Sequence, residues 1–412
     1  MPGSLRSLYI CYLSLEDPLV ETQVIAYLEG LARRGHTIHL LTFEPRLDAE
    51  RKRSLAADLK RRGIAWHSLR YHKRPSLPAT LCDALVGAAA ATRLVRRHRL
   101  DAIHARSHVP AAMGLIVRRL TGCRLIFDIR GLLGDEYVDM GRWPRDGVAY
   151  RITKRIQRAA ITRADAIVVL TERVRQHLFG SGGPARATVI PCCVDLDRLG
   201  ENSGDTDRAR AQLGLDGRSV MVYVGKLTEP YMDREMADFF TVARRLDPEL
   251  AFVVLTQAPP ASMVSELVRA GIPDSAYRIT RADPAAVGGY LAMAEFAICF
   301  CRPTFARIAS SPTKIGEYLA AGLPVVSGPG IGDGDELLSG RGVGVIVEGF
   351  CERGYEDAAT EILALASDPA CRARCREVAR DVYSLEEVGI PRYDRLYRRL
   401  AKTTGDVPSG AP

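Results

Sequence analysis

The sequence predicts an α/β protein of two consecutive doubly wound, Rossmann-like domains, each a parallel sheet covered by helices, facing each other across a cleft. Three observations carry that expectation. Short runs rich in Val, Ile, Leu and Phe alternate with amphipathic stretches along the whole chain, the pattern of parallel sheets whose crossovers are helices. The 412 residues suffice for two or three domains, at roughly 100–200 residues each. The alternation breaks once, at the short polar stretch Gly200–Asp207, and then restarts, as at a linker. The expected domains are 1–199 and 208–382.

Each element follows from local pattern. Leu8–Leu13 is a continuous apolar run and reads as a buried strand. Val20–Arg34 repeats apolar residues at helical spacing (Val24, Tyr27, Leu28, Leu31), and Gly35 stands where a helix C-terminus favours glycine. Strand Thr37–Phe43, the basic helix Ala49–Arg62, a strand at Trp66–Leu69, the long helix Ala79–His98 and a strand at Ala102–His104 follow. Helix Pro110–Leu120, strand Arg124–Asp128, helix Tyr150–Arg163 and strands Ala166–Leu170 and Thr188–Ile190 complete the first half. Beyond the linker come strands Val220–Val224, Ala251–Leu255, Tyr277–Ile279, Phe296–Phe300 and Pro324–Ser327, separated by helices Asp233–Arg245, Ala261–Ala270, Pro284–Met293 and Pro312–Ala321. Helices Glu356–Ala366, Pro369–Val382 and Ser384–Leu400 close the chain. In such sheets ligands sit at the carboxyl ends of the strands.

Composition narrows the function. With 47% hydrophobic and 26% charged residues the chain is neither disordered nor collagen-like. Its net charge of +8 is unevenly spread: 33 basic and 19 acidic residues precede position 199, and 24 and 30 follow it. Only the first half therefore offers a basic face to an anionic substrate or a membrane surface. Nucleic acid fits less well, because no zinc knuckle, helix-turn-helix or aromatic RNA-binding pattern occurs. Ten cysteines without C-x2-C spacing read as reduced thiols, and Cys371 and Cys375 have no His beside them, so no metal is expected. The N-terminal apolar run lacks a cleavage pattern and reads as a strand rather than a signal peptide. The longest apolar stretch beyond it, Ala84–Ala91, is too short to span a bilayer, so membrane contact would be peripheral.

The motifs point to anion binding in the second half. No G-x-G-x-x-G follows the first strand and no P-loop is present, which excludes the common dinucleotide and triphosphate cradles. The glycine-rich Gly328–Glu336 follows a strand but lacks that spacing and reads as a loop. In ASSPTKIGEYLAAGLPVV, Ser311 suits an N-cap, Pro312 the first helical position and Gly322 the left-handed C-terminal position. Ser310, Ser311 and Thr313 would line a helix start that favours an anion, Lys314 adds a full charge, and Glu317 one turn on could accept from a sugar diol. Gly225 and Lys226, after Val220–Val224, would stand on the same lip, glycine for close approach and lysine as a point charge for phosphate. A capped helix with a surface Lys and Glu is the alternative reading.

Together GKL after the first strand of the second half, SPTKIGEYLAAGLPVV, GLARRGHTIHLLT, RADAIVVLT and ATVIPCCVDLDRL resemble a family 4-type glycosyltransferase of GT-B fold, in order along nearly the whole chain. The resemblance implies retaining, metal-independent transfer from a nucleotide sugar, without a cofactor, the UDP- or GDP-sugar serving as co-substrate. It places the donor on the second domain and the acceptor on the first, with the helix around Ser384–Leu400 packing back on the first. Lys226 matches the residue that neutralises the donor diphosphate, Glu317 the second carboxylate of E-x7-E, which binds the donor ribose, and Ser310–Lys314 the diphosphate loop. Ile279 and Arg281 fall where the base is held, and Gln257 ends the preceding strand. The chain departs from the family where Ala309 replaces the first Glu, where Tyr231-Met232-Asp233 replaces a second basic residue that Arg234 could supply, and where Arg130 stands at a frequent His position.

In the first domain His104, Arg106 and Arg130 lie at strand ends, where planar guanidinium groups could clamp an acceptor pyrophosphate or stabilise the leaving diphosphate. The alternative is pairing with Asp128, Asp135 or Glu136. Glu21 and Gln23, at the first helix start, are further acceptor-binding candidates, and His36 reads as structural. Lys226, Arg130 and Glu317 are the expected catalytic residues. The reading is a cytoplasmic hexosyltransferase, peripheral on the inner face of the membrane through the basic helices Arg51–Gly63 and Arg151–Arg163, acting on an anionic acceptor such as a lipid-linked or polysaccharide precursor. A nucleotide-sugar epimerase or hydrolase, and a catalytically silent binding scaffold, are the rival readings.

Overall fold

The computed structural model describes residues 3–72, 76–199, 203–227, 229–283 and 286–402. It divides into two compact units, one formed by the chain up to Pro191 together with the segment from Glu386 on, the other by Cys192–Leu385. Each unit is a wholly parallel sheet with helices on both faces.

The first unit holds β1 (Arg6–Cys11), β2 (Thr37–Glu44), β3 (Ile64–Arg70), β4 (Ala102–Arg106), β5 (Arg124–Ile129), β6 (Ala166–Val169) and β7 (Ala187–Val189), in the order β3-β2-β1-β4-β5-β6-β7. The second holds β8 (Val220–Val224), β9 (Ala251–Leu255), β10 (Tyr277–Thr280), β11 (Phe296–Cys299), β12 (Val325–Ser327) and β13 (Gly344–Ile346), in the order β10-β9-β8-β11-β12-β13. Both orders reverse beside the first strand, which opens a crevice at the carboxyl ends of β1 and β4 and of β8 and β11. In the first unit the register aligns Cys11 with Arg106 and Arg106 with Asp128, so these three residues stand in one row at the strand ends.

The strands are apolar throughout because both faces are covered. Helix Asp233–Leu246 shows the complementary pattern: Met236, Phe239, Phe240 and Ala243 form a stripe at helical spacing, all fully buried, with the Phe240 ring 5.3 Å from Phe252 of β9. Burying each of those phenyl groups contributes on the order of 2 kcal/mol.

Several elements differ from the sequence expectation. The polar stretch after Leu199 is not a bare linker: residues 200–202 lie outside the described residues, and Ser203–Leu213 is a helix. Arg210 anchors that helix by donating to the carbonyls of Leu215, Arg218 and Met293, contacts a composition argument does not see. The expected Gly328–Glu336 loop turns into helix Gly334–Gly340, followed by β13. Helices Leu133–Asp139 and Glu172–Phe179 are short and were not anticipated. Of the expected helix Pro284–Met293, residues 284–285 lie outside the described residues and Val287–Ala292 is helical. Helix Ser76–His98 is longer than its apolar core Ala84–Ala91, and its Leu77–His98 stretch is long and apolar enough to cross a bilayer. It nonetheless packs on β1 and on helix His108–Thr121, with 44% of its most apolar window buried in the first unit, as a core helix does.

The C-terminal helix Ile390–Lys402 is part of the first unit. His36 accepts from the Leu5 N–H at Nδ1 (3.0 Å) and pairs with Asp394 at Nε2 (2.8 Å), which ties that helix to the start of β1. Ile390 fills the space above Gly30, where a Cβ would come within 2.2 Å of its Cδ1. Gly30→Val therefore is expected to push the terminal helix off, at about 2 kcal/mol of stability or more; urea unfolding and faster trypsin cleavage near Arg392 would register it.

Candidate functional site

In the second unit the switch point is built around Lys314. Helix Thr313–Ala320 is pinned to the end of β8 by the Val224 N–H, which donates to Tyr318 Oη at 2.8 Å. This sets the Lys314 ammonium 4.0 Å from the centroid of the Tyr223 ring and 3.5 Å from that of Tyr231. Such cation–π contacts are worth about 2 kcal/mol when desolvated. The Lys314 side chain is buried, and its Nζ has no hydrogen-bond partner among the described residues. Burial lowers its pKa, against the opposing pull of Cys299, Cys301, Glu317 and Asp233.

Gly225 makes this placement possible. Its φ is +142°, a conformation glycine adopts freely, and a Cβ there would stand 2.7 Å from Lys314 Nζ. Tyr223 Oη closes the following turn by donating to the Lys226 carbonyl at 2.8 Å, while the Lys226 side chain is exposed. The nearby carboxyls resist ionisation. Burial raises the pKa of Asp233, whose Oδ2 accepts from Ser262 at 2.7 Å, and burial also raises Glu317 against the pull of Arg198 and Lys314.

The remaining expected donor residues are placed as follows. Ser311 does not cap the helix: Pro312 holds the N-cap position, and Ser311 Oγ instead accepts from the Cys192 N–H at 3.1 Å. Ser310 Oγ accepts from Arg307 at 3.3 Å, and Thr313 is the first helical residue. Gln257, just after β9, donates to the Ala282 carbonyl at 3.0 Å beside exposed Arg281, and Ile279 is half-buried in β10, two strands from β8 in sheet order. Arg234 is an exposed partner of Asp238, so it supplies no charge to the turn after β8. Sequence reasoning missed Arg307, whose Nε is buried without a partner among the described residues. It also missed Tyr223 and Tyr231, which read as strand and loop aromatics.

In the first unit, Arg106 ends β4 and Arg130 follows β5. Arg130 donates to Gln23 Oε1 at 3.2 Å and lies 3.7 Å from Asp128, while Asp135 is taken by Lys154 at 2.8 Å. Arg106 keeps one buried guanidinium nitrogen without a partner among the described residues. Glu21 is exposed and paired with Arg62 at 2.8 Å, and Gln23 is buried. His104 is buried, tilted against Tyr9 with ring centroids 4.4 Å apart and paired with Tyr397 at 2.9 Å, so it lies beside Asp128, at 3.5 Å, instead of reaching solvent. Tyr393 Oη donates to Asp128 at 3.1 Å. Burial works against ionising Asp128, yet Arg130, His104 and Arg106 hold its pKa down at about 2. Ser107, next to Arg106, has φ +70° and ψ −173°, a region that costs a non-glycine residue about 1–3 kcal/mol.

The profile of glycosyltransferase family 4 matches residues 20–198, a stretch that contains Glu21, Gln23, His104, Arg106 and Arg130. Over that stretch, less than half of its length, the chain is similar to glycosyltransferase family 4. It is 23% identical over 131 residues to the alpha-maltose-1-phosphate synthase of Mycolicibacterium smegmatis, covering 31% of this chain and 33% of that protein. To the 2-deoxystreptamine glucosyltransferase of Streptomyces kanamyceticus it is 26% identical over 134 residues, 31% of this chain and 35% of that protein. The chain thus matches about a third of the length of these curated relatives. Anabaena HepE, solved in complex with UDP, superposes with a TM-score of 0.71 at 16% identity, covering 98% of this chain and 100% of that one. That likeness extends the GT-B fold over both units. Ala309, eight residues before Glu317, is buried at the end of the short 3-10 turn Phe305–Ala309.

Removing the Asp128 charge leaves buried guanidinium groups uncompensated. Asp128→Asn is expected to lose about 3 kcal/mol of unfolding free energy near neutral pH. The Asp128 contribution is complete above the unfolded pKa near 4 and is lost as pH falls through the folded value of about 2. Acid titration followed by circular dichroism should show that the variant lacks this component.

Proposed function

We propose that the chain transfers a hexose from a nucleoside diphosphate sugar to an acceptor with retention of anomeric configuration. The observation that carries this reading is the buried Lys314 ammonium without an anionic partner among the described residues, set against Gly225 at the switch point of the second sheet. A dry cation beside an open backbone turn is complementary to a diphosphate. As the bond between the anomeric carbon and the β-phosphate oxygen breaks, negative charge grows on that oxygen. Lys314, Lys226 and the N–H end of helix Thr313–Ala320 stabilise it. The acceptor hydroxyl enters on the face the phosphate leaves and gives its proton to the departing phosphate. This suits a site with alanine where a carboxylate could stand. Glu317 holds the donor ribose.

A uridine nucleotide is the base we favour, since HepE was also solved with UDP-glucose and one curated relative is named as a glucosyltransferase. Arg106 and Arg130 would hold an anionic acceptor, such as a lipid-linked precursor. Lys226→Ala should lower transfer from a labelled UDP-hexose on the order of 100-fold with the fold intact, and Lys314→Met should do the same while weakening UDP binding. Turnover close to wild type in both variants would refute the assignment. Sugar release at full rate without any acceptor would favour a hydrolase. Because Lys314 loses its proton below the ordinary lysine range near 10.4, UDP affinity in the wild type should fall as pH rises towards that range. Calorimetry on Lys314→Met should show no such slope.

The same reading places the protein at the cytoplasmic face of a membrane. Leu77, Leu81 and Leu85 form an exposed stripe at four-residue spacing on helix Ser76–His98, and helix Ala49–Arg61 presents exposed Arg51, Lys52 and Arg53. Vesicles rich in phosphatidylglycerol should sediment the protein more than neutral phosphatidylcholine vesicles do. Leu81→Glu with Leu85→Glu should cut that binding at least about tenfold.

A further inference from the structure

The largest unused cluster of ligating side chains lies away from the sites above, on the face of the first sheet under helix Ser76–His98. The register places His39 of β2 opposite Ala65 and Leu41 opposite His67, so His39 and His67 share one face as diagonal neighbours. His39 Nδ1 and His67 Nε2 are 3.0 Å apart, and the two rings stack at 5.3 Å. Helix Ser76–His98 crosses that same face, with Gly87 against Phe43, and its last residue delivers the third imidazole: the His98 ring lies 4.5 Å from His39 and 6.0 Å from His67. One ring nitrogen from each histidine lies within 4.8 Å of those of the others.

We propose that His39, His67 and His98 form a binding site for Zn2+ that staples the edge strand β3, its neighbour β2 and the end of helix Ser76–His98 together. Three imidazole nitrogens with an open fourth position for water are a donor set that zinc accepts, and ligand distances of about 2.0–2.1 Å require only that the rings close on a common centre. Three further features favour the cation. Burial, then His67 and His98, hold His39 down at about 4, and burial together with His98 and Arg97 lowers His67, so these rings offer lone pairs at neutral pH. The C-terminus of a helix of 23 residues directs its negative dipole end at the site. His39 is buried while His67 and His98 are partly exposed, which leaves a path for the ion. Arg97 is the charged neighbour that works against binding.

The site is distinct from the acceptor-side residues. His39 is the third residue of β2, whose carboxyl end is Glu44, five residues or about 16 Å along the strand. The role is therefore that of a structural or regulatory crosslink.

The test is Zn2+ titration by calorimetry near pH 7.5 on the full chain with exposed Cys82 and Cys351 changed to serine, so that accessible thiols do not compete. One equivalent should bind with a Kd of about 1 μM or tighter. His98→Gln and His67→Gln in that background should each weaken binding at least about tenfold with unchanged circular dichroism. Co2+ in place of Zn2+ should give the visible absorption of a four-coordinate nitrogen-rich site in the parent and lose it in both variants. Zn2+ at 100 times Kd should raise the thermal midpoint of the parent only. Absence of stoichiometric binding, or binding that survives both substitutions, overturns the proposal.

Discussion

A buried ammonium without a carboxylate partner among the described residues is the constraint that organises the second unit. Taking a lysine charge out of water costs several kcal/mol, and an ordinary fold answers with an ion pair. Here the answer is two tyrosine rings, a pair of buried cysteines and carboxyls whose own burial holds them back from ionising. The compensation is incomplete, and that is what an anion site needs: a group fully satisfied in the free protein would gain nothing from a diphosphate. Gly225 is bound to this arrangement because any side chain there would occupy the ammonium's space, and Tyr318 because its hydroxyl fixes the helix that carries the lysine.

The first unit solves the opposite problem. Asp128 is buried among Arg106, Arg130 and His104, and its carboxylate offsets one of the two guanidinium charges. Tyr393 and Tyr397 bring the terminal helix into it. The C-terminal segment therefore does more than cover apolar surface: it supplies hydrogen bonds to Asp128 and His104, which lie beside Arg106 and Arg130. Strain at Ser107 is held in the same place by the Ser107 N–H donating to the Asp128 carbonyl at 2.8 Å, so the loop after β4 is over-determined by the cluster it adjoins.

What was legible in the sequence follows from which forces act locally. Periodicity and glycine signals reveal strands such as Val220–Val224 and helices such as Asp233–Leu246, because those patterns depend on residues a few positions apart. The short helix Gly334–Gly340 carries no such pattern, since its start is set by Asp335 reaching back to the Gly330 N–H at 3.0 Å. Lys314 could be named as a charge at a helix start. Its burial could not, because that depends on Tyr231 folding back from the turn after β8. Ser311 looked like a cap and proved to be a hydrogen-bond acceptor for Cys192, a residue 119 positions away. His39, His67 and His98 are unremarkable along the chain and meet only through strand register and helix length.

The uneven net charge acquires a meaning once these local environments are known. The excess of 33 basic over 19 acidic residues before position 199 acts through solvent, where screening leaves a reach of about 8–10 Å and the effect is to attract and orient an anionic partner. The second half is net acidic, with 30 acidic against 24 basic residues, yet its switch point is cationic, because within a few ångströms of a dry ammonium the low dielectric outweighs distant surface carboxylates. The two halves thus use charge in different regimes. On the proposed function, the first gathers an anionic acceptor by a field that salt weakens. On the same proposal the second holds the leaving group by a contact that salt scarcely touches, so raising ionic strength would act on capture far more than on the bond-breaking step.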